Sequence, residues 1–188
     1  MRHEQWLFFR ANLNDEWVNN FTSHIENTYT PIDASVGFED DAKLSDIRES
    51  EVRWVDVHRE KEMTDILWSY VNRANRDSFD VDVRYVNEVQ YTTYYGAKKG
   101  HYSWHHDVNW KSIAPYHRKL SVTVQLSSPD EYEGGDFEFD SDIDQLPPEH
   151  KEKGTVLVFP SFLRHRVKPI TKGTRKALVA WFEGPHWR

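Results

Sequence analysis

Two histidines and an aspartate in the second half of the chain have the types and the spacing of a metal site. His105 and Asp107 lie two residues apart in HYSWHHDVNW, and His165 follows 58 residues after Asp107 (165 − 107) in FPSFLRHRVKP. If HYSWHHDV ends a β-strand, the alternation of side chains places His105 and Asp107 on one face and turns His106 to the other. An imidazole and a carboxylate suit a borderline divalent ion, and His165 is the best candidate for the third ligand.

The composition restricts both the metal ligands and the class of protein. The 188 residues include no cysteine, which excludes thiolate ligands, disulfides and thiol nucleophiles. A content of 38% hydrophobic and 29% charged residues is typical of one globular domain. The net charge of −7 disfavours nucleic acid as a partner. No apolar run approaches the roughly 18 residues of a membrane span, and the N-terminal stretch does not resemble a secretory signal, so we expect a cytoplasmic protein with no membrane partner.

The elements that must position these residues change in type along the chain. Apolar residues spaced four apart predict one helix in LNDEWVNNFTSHIENTY, with Asn14 or Asn12 as its N-cap, and a second in EKEMTDILWSYVNRANRD. The polar stretch between them, which includes Glu39, is expected to be a solvated loop. Seven later segments with a period of two predict strands: FDVDVRYV, EVQYTTYY, KLSVTVQLS, GGDFEFD, GTVLVFP, RHRVKPI and KALVAWF.

This order of elements predicts an α+β fold that is mainly β, a helix-backed antiparallel sandwich or jelly roll. We expect a single domain over residues 1–188, with a helical N-terminal part over about 1–78 and the β core over about 79–185. The N-terminal helices are expected to pack on one sheet of that core.

A basic residue strengthens the metal hypothesis. Arg175 lies ten residues after His165, and the turn TKG just before it is expected to fold the chain back into the next strand. A guanidinium deep in an apolar barrel can hold the distal carboxylate of a cosubstrate through two parallel hydrogen bonds. An H-x-D pair alone is a weak motif. Together with His165 it has the sequence form of the two-histidine, one-carboxylate triad of non-haem iron oxygenases, and Arg175 strengthens that interpretation.

Longer stretches resemble a known family. QYTTYYGAKKGHYSWHHD, EGGDFEF, GTVLVFPSFLRHRVKPITKGTR and ALVAWFEGP together look like the 2-oxoglutarate- and Fe(II)-dependent dioxygenases, specifically the prolyl 4-hydroxylase-like branch of bacteria and phages. IRESEVRW, at residues 47–54, resembles the N-terminal part of the same branch. The resemblance implies a double-stranded β-helix in which His105, Asp107 and His165 hold the iron and form the catalytic centre.

The same resemblance implies three cosubstrate-binding positions. Arg175 would bind the C5 carboxylate of 2-oxoglutarate, and Tyr94, which we prefer to Tyr95, would contact the same carboxylate. Ser121 stands where many relatives carry a threonine in the cosubstrate pocket. The implied cofactor is Fe(II), the cosubstrates are 2-oxoglutarate and O2, and ascorbate is a further candidate. Many prolyl 4-hydroxylases have lysine where Arg175 stands, which leaves the substrate open.

The leading hypothesis is therefore an oxygenase that hydroxylates a substrate C–H bond, with proline in a peptide or protein as the preferred target. Hydroxylation or demethylation of lysine, a small molecule or a nucleobase is the alternative within the same fold. A zinc hydrolase could use the same three ligands but would not need Arg175. A non-catalytic module would retain no iron. Asp107 argues against a halogenase, in which a small residue replaces the carboxylate. The sequence leaves the oligomeric state open.

Overall fold

Two antiparallel sheets face each other, and two helices cover the outer side of the larger sheet. The computed structural model describes residues 4–34 and 46–188, so the acidic loop predicted around Glu39 lies outside the described residues. The helices are α1 (Asp15–Thr28) and α2 (Lys61–Ala74). The strands are β1 (Leu7–Phe9), β2 (Ile32–Asp33), β3 (Arg48–Glu49), β4 (Glu51–Val55), β5 (Tyr85–Tyr95), β6 (His101–His105), β7 (Tyr116–Gln125), β8 (Tyr132–Gly134), β9 (Phe137–Phe139), β10 (Val156–Pro160), β11 (His165–Val167) and β12 (Ile170–Pro185).

Both predicted helices form, and the first begins where the sequence placed its cap. The side chain of Asn14, not that of Asn12, accepts a hydrogen bond of 2.8 Å from the backbone N–H of Trp17, which satisfies one free donor of the first turn. The buried faces of the helices pack on β5, β7, β10 and β12. Among the described residues no helix is long and apolar enough to cross a membrane.

The larger sheet has the strand order β1-β10-β7-β12-β5-β4-β2, with β8 also paired to β12, and the smaller one has the order β3-β6-β11-β9. Strands β1 to β4 precede residue 78 and take part in both sheets, although the sequence predicted only helices there. They are two to five residues long, too short for a period of two to be recognised.

Two predictions of local structure were wrong. FDVDVRYV does not form one strand: a π-helical turn runs over Asn75–Phe79, and β5 begins only at Tyr85. The TKG segment does not reverse the chain, because β12 runs without a break through it. Gly173 takes a left-handed φ of 73° there, and a Cβ on it would lie 2.0 Å from the carbonyl oxygen of Glu131. Glycine therefore permits the close approach of β8 instead of a turn.

The central strands of the larger sheet, β5, β7, β10 and β12, are largely buried on both faces, and alternation assigns each face its residues. On β12, Leu178 and Ala180 face the helices, whereas Arg175 and Ala177 line a cavity between the two sheets. The same division holds on β5, β7 and β10. An aromatic cluster fills the rest of the space between the sheets: it includes Tyr94, Tyr132, Phe137, Phe139 and Phe159.

Candidate metal centre

The three predicted metal ligands come together at one end of the cavity between the sheets. β6 and β11 are antiparallel neighbours in the smaller sheet, and His105 is directly opposite His165 in their register. Directly paired residues project from the same face of a sheet, so the pairing closes the long sequence gap between the two imidazoles. One ligand atom from each of His105, Asp107 and His165 lies within 4.8 Å of the other two. The Asp107 carboxylate oxygens lie 3.6 Å from Nε2 of His105 and 3.7 Å from Nε2 of His165.

Backbone carbonyls fix the tautomer of both imidazoles. Nδ1 of His105 lies 2.8 Å from the carbonyl oxygen of Ser103, and Nδ1 of His165 lies 2.8 Å from that of Leu163. A carbonyl can only accept, so each Nδ1 carries a proton, and in the neutral ring the lone pair is on Nε2. Both Nε2 atoms face the carboxylate. This is the arrangement that two neutral histidine ligands of a metal ion require.

Asp107 is held by contacts outside its own strand, because β6 ends at His105. Its backbone N–H donates to the carbonyl of Ser161 over 3.0 Å, and the hydroxyl of Ser121 donates to Oδ2 over 2.6 Å. Burial acts to raise the pKa of the Asp107 carboxyl, but His165, His105 and the Ser121 hydroxyl together bring the pKa below its usual value. The side chain is therefore an ionised ligand in a buried place.

Aromatic rings clamp the two imidazoles in position. Tyr102 stacks on His105 with ring centroids 3.5 Å apart, and Phe137 stacks on His165 at 5.2 Å. Phe159 meets His165 edge to face at 4.9 Å. Burial, with a smaller contribution from His165, lowers the pKa of His105 to about 3, so its ring stays neutral near neutral pH. Imidazoles held rigidly in this way are prepared for a metal ion without further rearrangement.

Arg175 lies in the same cavity as the three ligands, at a place where it has no counter-ion. The cavity has a volume of about 40 Å³. Arg175 is 5% exposed, and no carboxylate among the described residues pairs with it. Its guanidinium lies 5.7 Å from the ring centroid of Tyr94, the residue opposite it on β5. Tyr95 points away and hydrogen-bonds Glu51, so Tyr94, the preferred residue, is the one in the cavity.

Ser121 is placed differently from the expectation. It lies beside Asp107 and Ser161, and it is not among the residues that line the cavity. Thr123, two residues further along the same face of β7, lines the cavity instead. The strand period could have pointed to Thr123, since two residues of one strand separated by one position share a face.

Three further polar residues near the cavity were missed from the sequence. Arg48 and Gln90 line it and are joined by a hydrogen bond of 2.6 Å. Arg48 lies within IRESEVRW, a segment that was recognised without a role for this residue. His150 lines a side chamber next to Arg175. No sequence signal marks His150, because it sits in an irregular polar segment that resembles an exposed loop.

Comparisons with known proteins agree with this geometry. A sequence model described as the 2OG-Fe(II) oxygenase superfamily matches residues 89–183. A PKHD-type hydroxylase of Verminephrobacter eiseniae is 36% identical over an alignment of 95 residues, and the match covers 47% of this chain and 40% of that protein. The chain thus spans less than half the length of curated relatives that it matches.

Solved structures share the fold over nearly the whole chain. A viral collagen prolyl hydroxylase of Paramecium bursaria Chlorella virus 1, solved with 2OG, gives a TM-score of 0.73 at 19% identity and covers 96% of this chain and 97% of its own. A prolyl hydroxylase of Trichoplax adhaerens in complex with a hypoxia inducible factor peptide fragment gives 0.74 at 15% identity, with 95% and 83% covered. The predicted jelly roll is therefore confirmed.

The family match spans β5 to β12, the part of the chain that carries the three candidate ligands and Arg175. It bears out the family recognised from the sequence and, with it, Fe(II), 2-oxoglutarate and O2 as the cofactor and cosubstrates that the family implies. Fold, family match and the geometry of the cavity agree, and on these grounds the chain belongs to the 2OG-Fe(II) oxygenase superfamily.

Proposed function

We propose that this protein is an Fe(II)- and 2-oxoglutarate-dependent dioxygenase that hydroxylates proline in a peptide or protein. The single observation that carries the proposal is the pairing, in one cavity, of a two-histidine, one-carboxylate cluster with a buried arginine that lacks a counter-ion among the described residues. The cluster supplies a place for a metal, and the arginine supplies a place for an anion.

The metal end of the cavity fits Fe(II). His105, Asp107 and His165 offer two neutral nitrogen donors and one ionised oxygen donor, which leave part of the coordination sphere for other ligands. When bound there, Fe(II) supplies the chemistry that couples the decarboxylation of 2-oxoglutarate by O2, giving succinate and CO2, to insertion of one oxygen atom into a substrate C–H bond. Ser121 keeps the carboxylate in its ligating orientation by donating to Oδ2.

The other end of the cavity fits a dicarboxylic cosubstrate. A buried guanidinium without a counter-ion is costly, and a carboxylate held by two parallel hydrogen bonds removes that cost. Tyr94 and Thr123 line the wall beside Arg175 and offer hydroxyl groups to the same carboxylate. Phe137, Phe159 and Val179 line the cavity with apolar surface that keeps water out. A zinc hydrolase, which also uses two histidines and a carboxylate, gives no reason for Arg175 to be buried unpaired.

A groove outside the cavity supports a peptide as the substrate. It opens at Tyr102 and Asp107, so a chain lying in it passes the metal end of the cavity. Tyr85 and Tyr116 form part of its wall, with their rings edge to face at 5.0 Å. Proline lacks a backbone N–H and favours an extended conformation, so it can lie against aromatic rings without leaving a donor unpaired. The peptide complex of the Trichoplax prolyl hydroxylase supports the same choice of substrate class.

The first experiment tests the metal and the cosubstrate together. Fe(II) and 2-oxoglutarate are added without oxygen, and we expect a weak visible charge-transfer band from chelation of the keto acid. His105→Ala should lose the band, because two ligands no longer fix the metal. His106→Ala is the matched control: that ring is exposed and its Nδ1 bonds to the carbonyl of Phe162, so the band should remain. A band that survives in His105→Ala would remove His105 from the proposed ligand set.

The second experiment tests the substrate. Proline-containing peptides are offered with Fe(II), 2-oxoglutarate and O2, and we expect mass spectrometry to find one added oxygen atom on proline, with succinate released in equal amount. Oxygen that appears only on lysine, on a free small molecule or on a nucleobase would leave the oxygenase proposal standing and end the prolyl one.

A further inference from the structure

A histidine outside the proposed ligand set lies at the far end of the cavity. His150 belongs to a short 3-10 turn, Pro148–Lys151, in the segment between β9 and β10. It lines a small side chamber of about 10 Å³, which has room for about one water-sized group. That chamber shares Thr123, Phe137 and Arg175 with the main cavity, so the two adjoin at these residues.

One nitrogen of the His150 ring makes a hydrogen bond within the described residues and the other does not. Nδ1 lies 2.8 Å from the carbonyl oxygen of Pro147, so this nitrogen carries a proton and donates it. Nε2 has no hydrogen-bond partner among the residues at 4–34 and 46–188. The ring is held at one nitrogen, and the other nitrogen is available to a ligand.

The charges around His150 come from three residues on different elements. Arg175 projects from β12, Lys151 follows in the same turn, and Asp136 lies just before β9 and is paired with Lys151. The remaining polar residues of the chamber are neutral: Thr123, Gln125 and Thr155. Burial lowers the pKa of His150, and Arg175 and Lys151 lower it further, while the Pro147 carbonyl and Asp136 oppose the change. In the ligand-free protein the ring is therefore neutral at pH 7.

We propose that His150 is a second anion-binding residue for the cosubstrate and that it takes up a proton when a dicarboxylic acid binds beside Arg175. This inference rests on the proposed function, because it concerns the same cavity and the same distal carboxylate. Without the carboxylate, a protonated His150 would face an unpaired guanidinium across a small, poorly solvated chamber. With the carboxylate in place, the charge of Arg175 is offset and the added proton has an anion beside it.

The sign of the resulting pH dependence follows from linkage. The pKa of His150 is higher in the complex than in the free protein, so the complex holds more protons between the two values. Affinity for the dicarboxylic acid must then rise as the pH falls through the pKa of the complex, by at most about tenfold per pH unit for one proton. The gain levels off once the pH is below the pKa of the free protein.

The test compares two keto acids that differ only at the distal end. 2-Oxoglutarate and 2-oxobutyrate are titrated calorimetrically into the Fe(II)-loaded protein without oxygen, at pH 6.5 and pH 8, in buffers with different heats of ionisation. We expect 2-oxoglutarate to bind with uptake of up to about one proton at pH 6.5. 2-Oxobutyrate has no distal carboxylate and should bind without uptake, although it makes the same contacts through its keto acid group.

A variant of His150 tests whether this residue takes up the proton. His150→Gln keeps a neutral hydrogen-bonding side chain and leaves Arg175 in place, so it should still bind 2-oxoglutarate, with no proton uptake and with an affinity that no longer changes with pH. Uptake that persists in His150→Gln, or that is equal for the two acids in the unaltered protein, overturns the inference. Failure of 2-oxoglutarate to bind under any of these conditions would overturn the proposed function as well, so the two failures are distinguishable.

Discussion

The two faces of the larger sheet are formed by the same strands but carry different kinds of side chain. On the face covered by α1 and α2, side chains such as Tyr91, Val122 and Leu178 are at most 1% exposed and pack against apolar neighbours. On the face that looks into the cavity, the same three strands present Gln90, Ser121 and Arg175, which are also buried but polar or charged.

The difference shows how one backbone separates stability from chemistry. Each strand alternates residue by residue, so a substitution on one face leaves the other face in place. The helix-covered face stabilises the fold by burying apolar surface. The cavity face keeps buried polar groups, among them Arg175, which has no counter-ion among the described residues until a ligand binds. Each variant below is therefore measured twice, for stability without ligand and for ligand binding.

The largest effect is expected from loss of a metal ligand. His165→Ala should retain no Fe(II) after desalting and should release no detectable succinate, because the remaining two ligands no longer fix the ion. Metal analysis and a succinate assay measure the two outcomes, and thermal unfolding of the metal-free protein checks that the fold persists. Near-normal turnover would show that His165 does not bind the metal.

On the opposite face, Leu178→Ala should act on stability alone. The side chain is 1% exposed, so its truncation should lower the free energy of unfolding by about 2 to 5 kcal/mol. At a temperature where the variant is still folded, Fe(II) binding should be unchanged. Denaturant unfolding and metal titration make the comparison, and a large loss of metal affinity would mean that the two faces are not independent.

Arg175→Met should have the opposite effect to Leu178→Ala: it should weaken ligand binding without lowering stability. Loss of the buried guanidinium should weaken 2-oxoglutarate binding by about 2 to 5 kcal/mol, with Fe(II) binding retained. The ligand-free protein should be equally or more stable, since an unpaired buried charge is replaced by an apolar chain of similar length. Calorimetric titration and denaturant unfolding test the pair of expectations, and Arg175→Lys should recover part of the binding. An unchanged affinity for 2-oxoglutarate would refute the assignment of this pocket.

Ser121→Ala should have a moderate effect on the metal. Its hydroxyl donates to the Asp107 carboxylate, and loss of such a supporting bond lowers metal affinity by about 10- to 100-fold. Competition with a chelator measures the affinity. Thr123→Val, on the same face of β7 but without a contact to Asp107, is the control and should keep its metal affinity while binding 2-oxoglutarate less tightly.

The smallest effect is expected at the start of α1. Asn14→Ala removes the hydrogen bond to the backbone of Trp17 and should lower the free energy of unfolding by about 1 kcal/mol. Metal and 2-oxoglutarate affinities should stay the same, because α1 lies on the far side of the larger sheet from the cavity. A change in either affinity would again argue against independent faces.

Local features could be predicted from the sequence where capping, hydrophobic period or ligand spacing restricts the residue type. The cap at Asn14, the two helices and the β-strands around the ligands follow from period and composition, and the H-x-D spacing with His165 found the cluster. Prediction from the sequence failed where tertiary contacts determine the local structure. Gly173 looks like a turn residue but allows β8 to approach β12, and His150 is drawn into the cavity by a loop with no regular period.

The two candidate histidine ligands and the candidate anion site belong to different sheets. The distance between the sheets therefore limits the chain length of a keto diacid that can reach both sites. His105 and His165 stand on the smaller sheet, Arg175 on the larger one, and Phe137 and Phe159 touch across the gap with centroids 5.7 Å apart. We expect these two rings to set the distance between the sheets at this point. A keto diacid one carbon shorter or longer than 2-oxoglutarate should then bind less tightly, because it would not fit the distance that the two rings set. A smaller side chain in place of Phe159 should change the chain length that the cavity binds best.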